Sequence, residues 1–384
     1  MVSLVRRGRS VRQVAKQFGV TRSNVAFWVA RAGQQRLDRV DFSDRCRGPQ
    51  RPSNKVSAEV EELVLDLRRE LKEVSALGEF GAAAIRTEML RRGCPRPPSV
   101  RTIGRILERR GALDGQRRVR RPSPPRGWYL PQLAAQKAEL DSFDIVEGLV
   151  IQGGYAVEVL NVVSHWGGLV ESWPRAKITA KTTVEAIVQH WRRFGLPDFA
   201  QFDNDTVFQG PHQHPDSLGR VVRLCLALQV VPVFAPPRET GFQAMIENFN
   251  GRWQAKVWSR FTFTSRRKLQ AQSAKFITAS RRRAAARIEN APKRRDFPED
   301  WRLNLQAKPR GQVIFLRRTD DRGRASLLGR TFDVDRNWPH RLVRAEVDLD
   351  ENVIRFFALR RREPALQPLL KTIEYHFPKR RFHE

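Results

Sequence analysis

Cysteine is scarce in this chain of 384 residues: Cys46, Cys94 and Cys225 are the whole set. Three scattered thiols, odd in number, argue against a disulfide framework and fit a reducing compartment. No Cys-x-x-Cys pair occurs, and all seven histidines lie at or beyond His165, so no His/Cys zinc module can form near the N-terminus. Long apolar runs are missing too. The most apolar stretch, 221–236, is broken by Arg223 and Gln229 and is too short to span a bilayer. The opening residues carry no apolar core of signal-peptide length. The expectation is a soluble intracellular protein with no membrane partner. Negative charge is also short, 41 Asp and Glu against 71 Lys and Arg, which leaves a formal net charge of +30.

Apolar residues make up 40% of the chain and aromatics 9%, a globular rather than a disordered composition. A folded chain holding that much positive charge repels itself, and a polyanion relieves the repulsion. Nucleic acid is the leading candidate partner. At about 100–200 residues per domain the length predicts two to four domains.

Residues 10–31 predict two short helices joined by a tight turn. Val11, Val14, Ala15 and Phe18 share one apolar face, Gly19 can take the left-handed conformation of the turn, and Thr21 can cap the second helix. Val25, Trp28 and Val29 face back, while Arg22 and Ser23 point outward from the start of the second helix. This is the helix-turn-helix pattern, whose second helix enters the major groove of DNA. Thr21, Arg22 and Ser23 are therefore candidate DNA contacts; the competing reading is an ordinary helical hairpin. A helix at 57–75 and a pair at 81–93 and 99–111 follow, with Ile85, Met89, Leu90, Val100, Ile103, Ile106 and Leu107 as their core. They are open between a second DNA-binding unit and a structural bundle. In the next segment proline prevents regular structure, and Arg117, Arg118, Arg120 and Arg121 suit a linker lying along phosphates.

From residue 140 the pattern changes to strands at 144–151, 155–164 and 168–173, with Gly153-Gly154 and Trp166-Gly167 as turns. A helix at 182–194, a strand at 199–202, a helix at 216–228, a strand at 230–234 and a long helix at 241–260 come next. Such an order describes a mixed sheet covered by helices, the ribonuclease H-like arrangement. Residues 262–295 read as helical and strongly basic. Strands at 313–317, 326–334, 342–349 and 353–359, with a turn at Asp350-Glu351-Asn352, predict a small C-terminal β-barrel. The expected architecture is multidomain α+β. A helix-turn-helix domain (1–50), a second helical unit (51–113) and a basic linker (114–134) precede a ribonuclease H-like core (135–262), a basic helical connector (263–310), and the barrel and tail (311–384).

Three acids stand out by position. Asp144 sits at or within the first core strand, Asp203 at the end of a later strand, and Glu247 on the long helix, on a polar stripe with Gln243, Asn250 and Gln254 that borders its apolar face. With the first strand beside the fourth, Asp144 comes near Asp203, at the carboxyl ends where open α/β sheets hold their sites. Taken singly, an Asp after a strand is usually a turn or cap residue and a Glu on a helix is usually solvated. Together, three converging carboxylates repel one another, and a divalent cation removes that cost. Oxygen-only ligands suit Mg²⁺ or Mn²⁺, and two such ions can carry out in-line phosphoryl displacement. Asp141 lies three residues before Asp144, so in one strand the two point to opposite faces.

Three stretches carry a family resemblance: Phe143-Asp144-Ile145-Val146-Glu147-Gly148, Gln201-Phe202-Asp203-Asn204-Asp205-Thr206-Val207-Phe208 and Gly241-Phe242-Gln243-Ala244-Met245-Ile246-Glu247-Asn248-Phe249-Asn250, with Gly195-Leu196-Pro197 ahead of the second. With these the chain resembles insertion-sequence transposases that share the retroviral-integrase catalytic core. The resemblance implies that Asp144, Asp203 and Glu247 bind catalytic Mg²⁺ or Mn²⁺, two ions in the family's manner of acting, and that the chain acts as a homo-oligomer on double-stranded DNA, joining element ends to target DNA at the nucleoid of a prokaryotic cytoplasm. There are departures. Asp205 stands where many members have Gly, 43 residues separate Asp203 from Glu247, a Trp-Gln pair before the first aspartate is missing, and the zinc module of retroviral integrases is absent. Two other readings compete: a domesticated DNA-binding protein without catalysis, and a ribonuclease H-like nuclease.

Overall fold

The computed structural model describes residues 1–43, 56–113, 126–211, 214–239, 241–361, 363–378 and 381–382. The linker arginines Arg117, Arg118, Arg120 and Arg121, and Cys46, lie outside the described residues. Two compact units are present, 1–62 and 63–384.

In the first unit, helices α1 (Val2–Arg6), α2 (Val11–Phe18) and α3 (Arg22–Ala32) pack around buried Val14, Ala15 and Val25. Ser10 and Gln13 form a capping box at the start of α2, and Gly19 ends it at φ 63°, a left-handed conformation that costs glycine little. Thr21 caps α3 through Asn24 N. The spacing argument missed α1, whose five residues are too few to display a period. Phe18, expected on the inner face, is exposed.

The boundary between the units falls within α4 (Ala58–Val74), and the second unit continues with α5 (Ala82–Arg91) and α6 (Val100–Arg109). Ile85, Met89, Ile103, Ile106 and Leu107 are buried as expected, whereas Leu90 and Val100 are exposed. The short helix α7 (Pro131–Ala134) leads into the sheet. There follow β1 (Leu140–Ile151), β2 (Tyr155–Ser164), β3 (Val170–Arg175), α8 (Ala180–Phe194), β4 (Phe199–Phe202), α9 (Thr206–Gln209), α10 (Arg220–Ala227), β5 (Val231–Phe234), α11 (Ala244–Trp253) and α12 (Arg266–Glu289). The C-terminal strands are β6 (Gln312–Arg318), β7 (Arg324–Leu327), β8 (Arg330–Asp333), β9 (Leu342–Asp348), β10 (Val353–Ala358) and β11 (Leu369–Glu374).

Nine strands form one mixed sheet, in the order β11-β10-β9-β6-β5-β4-β1-β2-β3. β1, β4, β5 and β6 run parallel to one another, and the remaining pairs are antiparallel. One face packs α8 and α10 against Phe143, Leu160, Phe202 and Phe234. On the other, α11 and α12 bring Ile246, Phe249, Trp253 and Phe276 onto Val146, Val157, Val159 and Val163.

The expected C-terminal barrel does not form: no closed barrel is found among the described residues, and β6, β9, β10 and β11 extend the core sheet instead. The physical reason is visible in β6, where Val313, Ile314, Phe315 and Leu316 are all buried. A strand apolar on both faces belongs in the middle of a covered sheet. The strand expected at 326–334 is a hairpin, turned at Leu328 (φ 53°) and Gly329 (φ 68°); two consecutive left-handed residues are what a tight hairpin turn needs. The long helix expected at 241–260 is α11 followed by a π-helical turn, Gln254–Trp258. Among the described residues no helix is long and apolar enough to cross a membrane.

Candidate active site

The two-residue period of β1 sorts its acids. Asp141 faces α8: Trp191 Nε1 donates to its Oδ2 at 3.0 Å, His190 Nε2 lies 3.5 Å away, and the Arg294 guanidinium pairs with both oxygens at 2.9 and 2.5 Å. Burial alone raises a carboxyl pKa. Here Arg294 and His190 outweigh it and hold Asp141 below the ordinary carboxylate range. Its role is that of a satisfied structural ion.

Asp144 faces the other way, toward α11. The parallel register of β1 and β4 pairs Ser142 with Gln201, and two residues further along each chain come Asp144 and Asp203. α11 lies across this edge. Asn250, one turn beyond Glu247, donates through Nδ2 to Asp144 Oδ2 at 2.6 Å and accepts from Asn161 Nδ2 at 2.8 Å. Asn161 is the cross-strand neighbour of Asp144 on β2. The asparagine pair thus ties the helix carrying Glu247 to the strand carrying Asp144. The Asp144 carboxyl is pushed up to about 7, first by burial and then by the charges of Asp203 and Glu247, with Asn250 and the Ile145 amide pulling it back down. Asp203 is raised as well, by burial and by Asp205 and Glu147, against a hydrogen bond from the Asp205 amide.

Asp205 has a use of its own. Its side chain accepts from Val207 N at 2.7 Å and caps α9, with φ at −63°, so the glycine common at this position in the resembling family is not required by the backbone here. Next to it, Asn204 donates to Ala235 O at 2.7 Å and accepts from Arg317 Nη2 at 2.9 Å. Arg317 is buried, with its pKa lowered to about 10 by burial alone. It comes from β6, so the C-terminal strands brace the loop that holds Asp203.

Glu247 is exposed in the first turn of α11, and no group of three His, Cys, Asp or Glu side chains close enough to hold a metal is present among the described residues. The donor chemistry nevertheless fits a hard cation. The groups are all carboxylate oxygens, and their mutual repulsion is felt at Asp144, where a divalent ion would remove it. Of the predicted DNA contacts, Thr21 is occupied in capping α3 at 3.3 Å from Asn24 N, and Arg22 and Ser23 are exposed. Sequence reasoning missed Asn161, Tyr129 and Arg317. Tyr129 donates to Phe242 O at 3.1 Å and accepts from Gln201 Nε2 at 2.9 Å, which anchors the segment leading into α11. No short-range signal marks such contacts, since each joins residues far apart in the chain.

No protein-family model and no curated protein matches the chain. Among solved structures, the catalytic core domain of BIV integrase is 17% identical over 36% of this chain and 81% of its own, with a TM-score of 0.28. A chain of the simian T-cell lymphotropic virus intasome in complex with PP2A regulatory subunit B56 gamma is 12% identical over 69% and 84%, with a TM-score of 0.33. The HTLV-2 integrase catalytic core domain in complex with magnesium is 14% identical over 35% and 81%, with a TM-score of 0.27. At TM-scores this low the likeness carries no weight for fold or chemistry, which rest on the strand order and the side chains themselves.

Proposed function

We propose that this chain is a DNA transposase with a ribonuclease H-like core, which binds the ends of a mobile element and transfers their 3′-hydroxyls into target DNA. The observation that carries the reading is the convergence of charge at Asp144. A strand aspartate stands beside a second one on the neighbouring parallel strand, both are raised in pKa, and the helix bearing Glu247 is hydrogen-bonded to the first. A protein keeps such a frustrated cluster where function repays it.

Asp144, Asp203 and Glu247 would hold Mg²⁺ or Mn²⁺, which when bound activates the attacking hydroxyl and stabilises the leaving oxygen of phosphoryl transfer. Asn250 fixes the Asp144 carboxylate against α11, and Asn204 and Arg317 fix the Asp203 loop against β5 and β6. The partner is double-stranded DNA, gripped by the N-terminal helices with Arg22 and Ser23 at the base edges and by the linker arginines along the backbone. A homo-oligomer acting on paired ends completes the reading.

The test is to incubate the protein with labelled DNA from the flanks of its own gene, with and without Mg²⁺, and to look for joined products. Duplex binding without product in either Mg²⁺ or Mn²⁺ would favour a non-catalytic DNA-binding protein. Cutting of RNA–DNA hybrids alone would favour a nuclease.

A further inference from the structure

Beside the acids, on the same face of the sheet, lies a cavity of about 210 Å³ lined by Arg126, Ser142, His165, Gln201 and Asn248 among others. Ser142 and Gln201 each stand two residues before one of the two aspartates, a rise of roughly 7 Å along a strand. Asn248 follows Glu247 directly. The cavity is therefore continuous in sequence and register with the acid cluster, and at about 30 Å³ per water it has room for several waters or for one phosphate group with part of its sugar.

Arg126 lines the cavity, and with Arg287 nearby this side is positively charged and lacks an acid partner. The Arg126 guanidinium sits 5.9 Å from the ring of Trp166, and Arg287 of α12 donates to Trp166 O at 2.9 Å. Neither forms an ion pair among the described residues. Arg287 is lowered in pKa by burial and by the nearby charges of Arg126 and Arg252, partly offset by Glu139. Glu139 does not pair with them: its carboxylate is buried and accepts from the amides of Leu140, Trp166 and Gly167. His165, which lines the cavity with Arg126, is only 6% exposed, and its Nε2 has no partner among the described residues. Burial, Arg126 and Arg287 lower its pKa to about 4, so the ring is neutral, and in the tautomer with its proton on Nε2 it offers a donor rather than a charge. Gly168 makes the space: a side-chain carbon there would meet the Arg287 guanidinium at 3.0 Å.

Two guanidiniums at one tryptophan, Arg126 at its ring and Arg287 at its carbonyl, with an orphaned buried imidazole nearby, make a site short of an anion. The geometry points to a phosphodiester site: this cavity takes one phosphate of the DNA strand next to the phosphate at the acids, held by Arg126 with His165 as a neutral donor, while Arg287, bonded to Trp166 O, adds its charge nearby. The inference rests on the DNA-processing reading above and names a residue set that reading did not need.

The test separates the two. Duplex binding is followed by fluorescence anisotropy in EDTA, where no catalysis occurs, over a range of salt concentrations. Neutralising one phosphate contributes a slope of about −0.9 in log K against log salt. Arg126→Gln should reduce the slope by about that amount, a loss of roughly eightfold in affinity at 0.1 M salt. Arg126→Lys should keep the slope. Adding Arg287→Gln should reduce it little further, because Arg287 does not line the cavity; a loss of roughly 1.8 would mean two phosphates and overturn the single site. Arg310→Gln, just before β6 and so at the amino ends of the parallel strands, is the control. An equal effect there would reduce Arg126 to one of many surface cations and also overturn the proposal. If Arg126→Gln binds duplex like the wild type while inorganic phosphate raises the melting temperature of the wild type alone, the cavity holds a free anion and not DNA. Failure of the wild type to bind duplex at all would sink the DNA-processing reading itself. Because Arg126 is exposed, melting of its variants should match the wild type and keep each outcome readable.

Discussion

Replacing Asp144 by Asn should stabilise the protein, and the pH at which it does so is fixed by the structure. The Asp144 carboxyl is raised from 3.8 to about 7 in the fold. A carboxyl with a raised folded pKa weakens the fold as pH climbs from its unfolded value toward its folded one, and above that the penalty is constant. At about 1.36 kcal/mol per pH unit the ceiling is about 4 kcal/mol. Partial solvent access and relaxation of the site reduce that to about 1–3 kcal/mol. Asparagine keeps the size and the acceptor for Asn250 Nδ2 and removes the charge. Asp144→Asn should therefore melt several degrees higher than the wild type at pH 8, at about 2–4 °C per kcal/mol for a large domain, and the gap should close by about pH 4, where the wild-type carboxyl is protonated. Mg²⁺ should raise the wild-type melting temperature in EDTA-treated protein and raise that of Asp144→Asn less. Thermal melting at both pH values, with and without Mg²⁺, is the assay. An Asp144→Asn variant no more stable than the wild type at pH 8, or a gap that persists unchanged at pH 4, would refute the charge-convergence argument.

The mirror experiment is Asp141→Asn, which leaves Arg294 buried without its carboxylate and should cost about 3–5 kcal/mol; because Asp141 is held below the ordinary range, that stabilisation is present at neutral pH and is lost as pH falls below about 4. Activity per folded molecule should survive in Asp141→Asn and vanish in Asp144→Asn, measured by strand transfer with Mg²⁺ and Mn²⁺. Asp203→Asn and Glu247→Gln should each abolish cleavage while leaving duplex binding intact; full activity in both variants would end the three-acid mechanism. Arg22→Ala should reduce the preference for element ends over random duplex by about 1–3 kcal/mol if Arg22 makes a bidentate base contact, read from competition binding; equal weakening on both DNAs would make it a phosphate contact.

Periodicity carried much of the fold. The bounds of β2 and β4 match the sequence reading to the residue, because each is flanked by turn residues that the sequence displays openly. Likewise, the opposite orientations of Asp141 and Asp144 follow from their odd spacing alone. What periodicity could not reveal was which strands share a sheet. The C-terminal strands read as a separate barrel because they follow a basic connector of about fifty residues; their pairing with β5 is decided by β6, whose two buried faces need cover on both sides. The partners of the acids were hidden for the same reason. Asn250 was visible as part of a polar stripe on α11, but its reach to Asp144, and that of Arg317 to Asn204, spans more than a hundred residues, where local spacing holds no information.

The acids and the arginines pose one electrostatic problem from two sides. Asp144 is raised in pKa by burial and by the charges of Asp203 and Glu247, Asp203 by burial and by Asp205 and Glu147, while Arg287 is lowered by burial and by its cationic neighbours. The two groups are not arranged to neutralise each other. Glu139, the acid placed to face the arginines, is spent on backbone amides, and Arg294, which follows α12, is spent on Asp141 on the opposite face of the sheet. On the proposed reading each deficit is met from outside, the acids by cations and the arginines by a phosphodiester, and neither ligand can be replaced by a change of side-chain rotamer. Binding of the two should then be coupled: DNA lowers the repulsion that a second cation would otherwise add to, so Mg²⁺ affinity should rise when duplex is bound, and by linkage duplex affinity should rise with Mg²⁺ by the same factor. Titration of either ligand in the presence of the other tests this, and independent binding would mean that the two clusters serve separate ends.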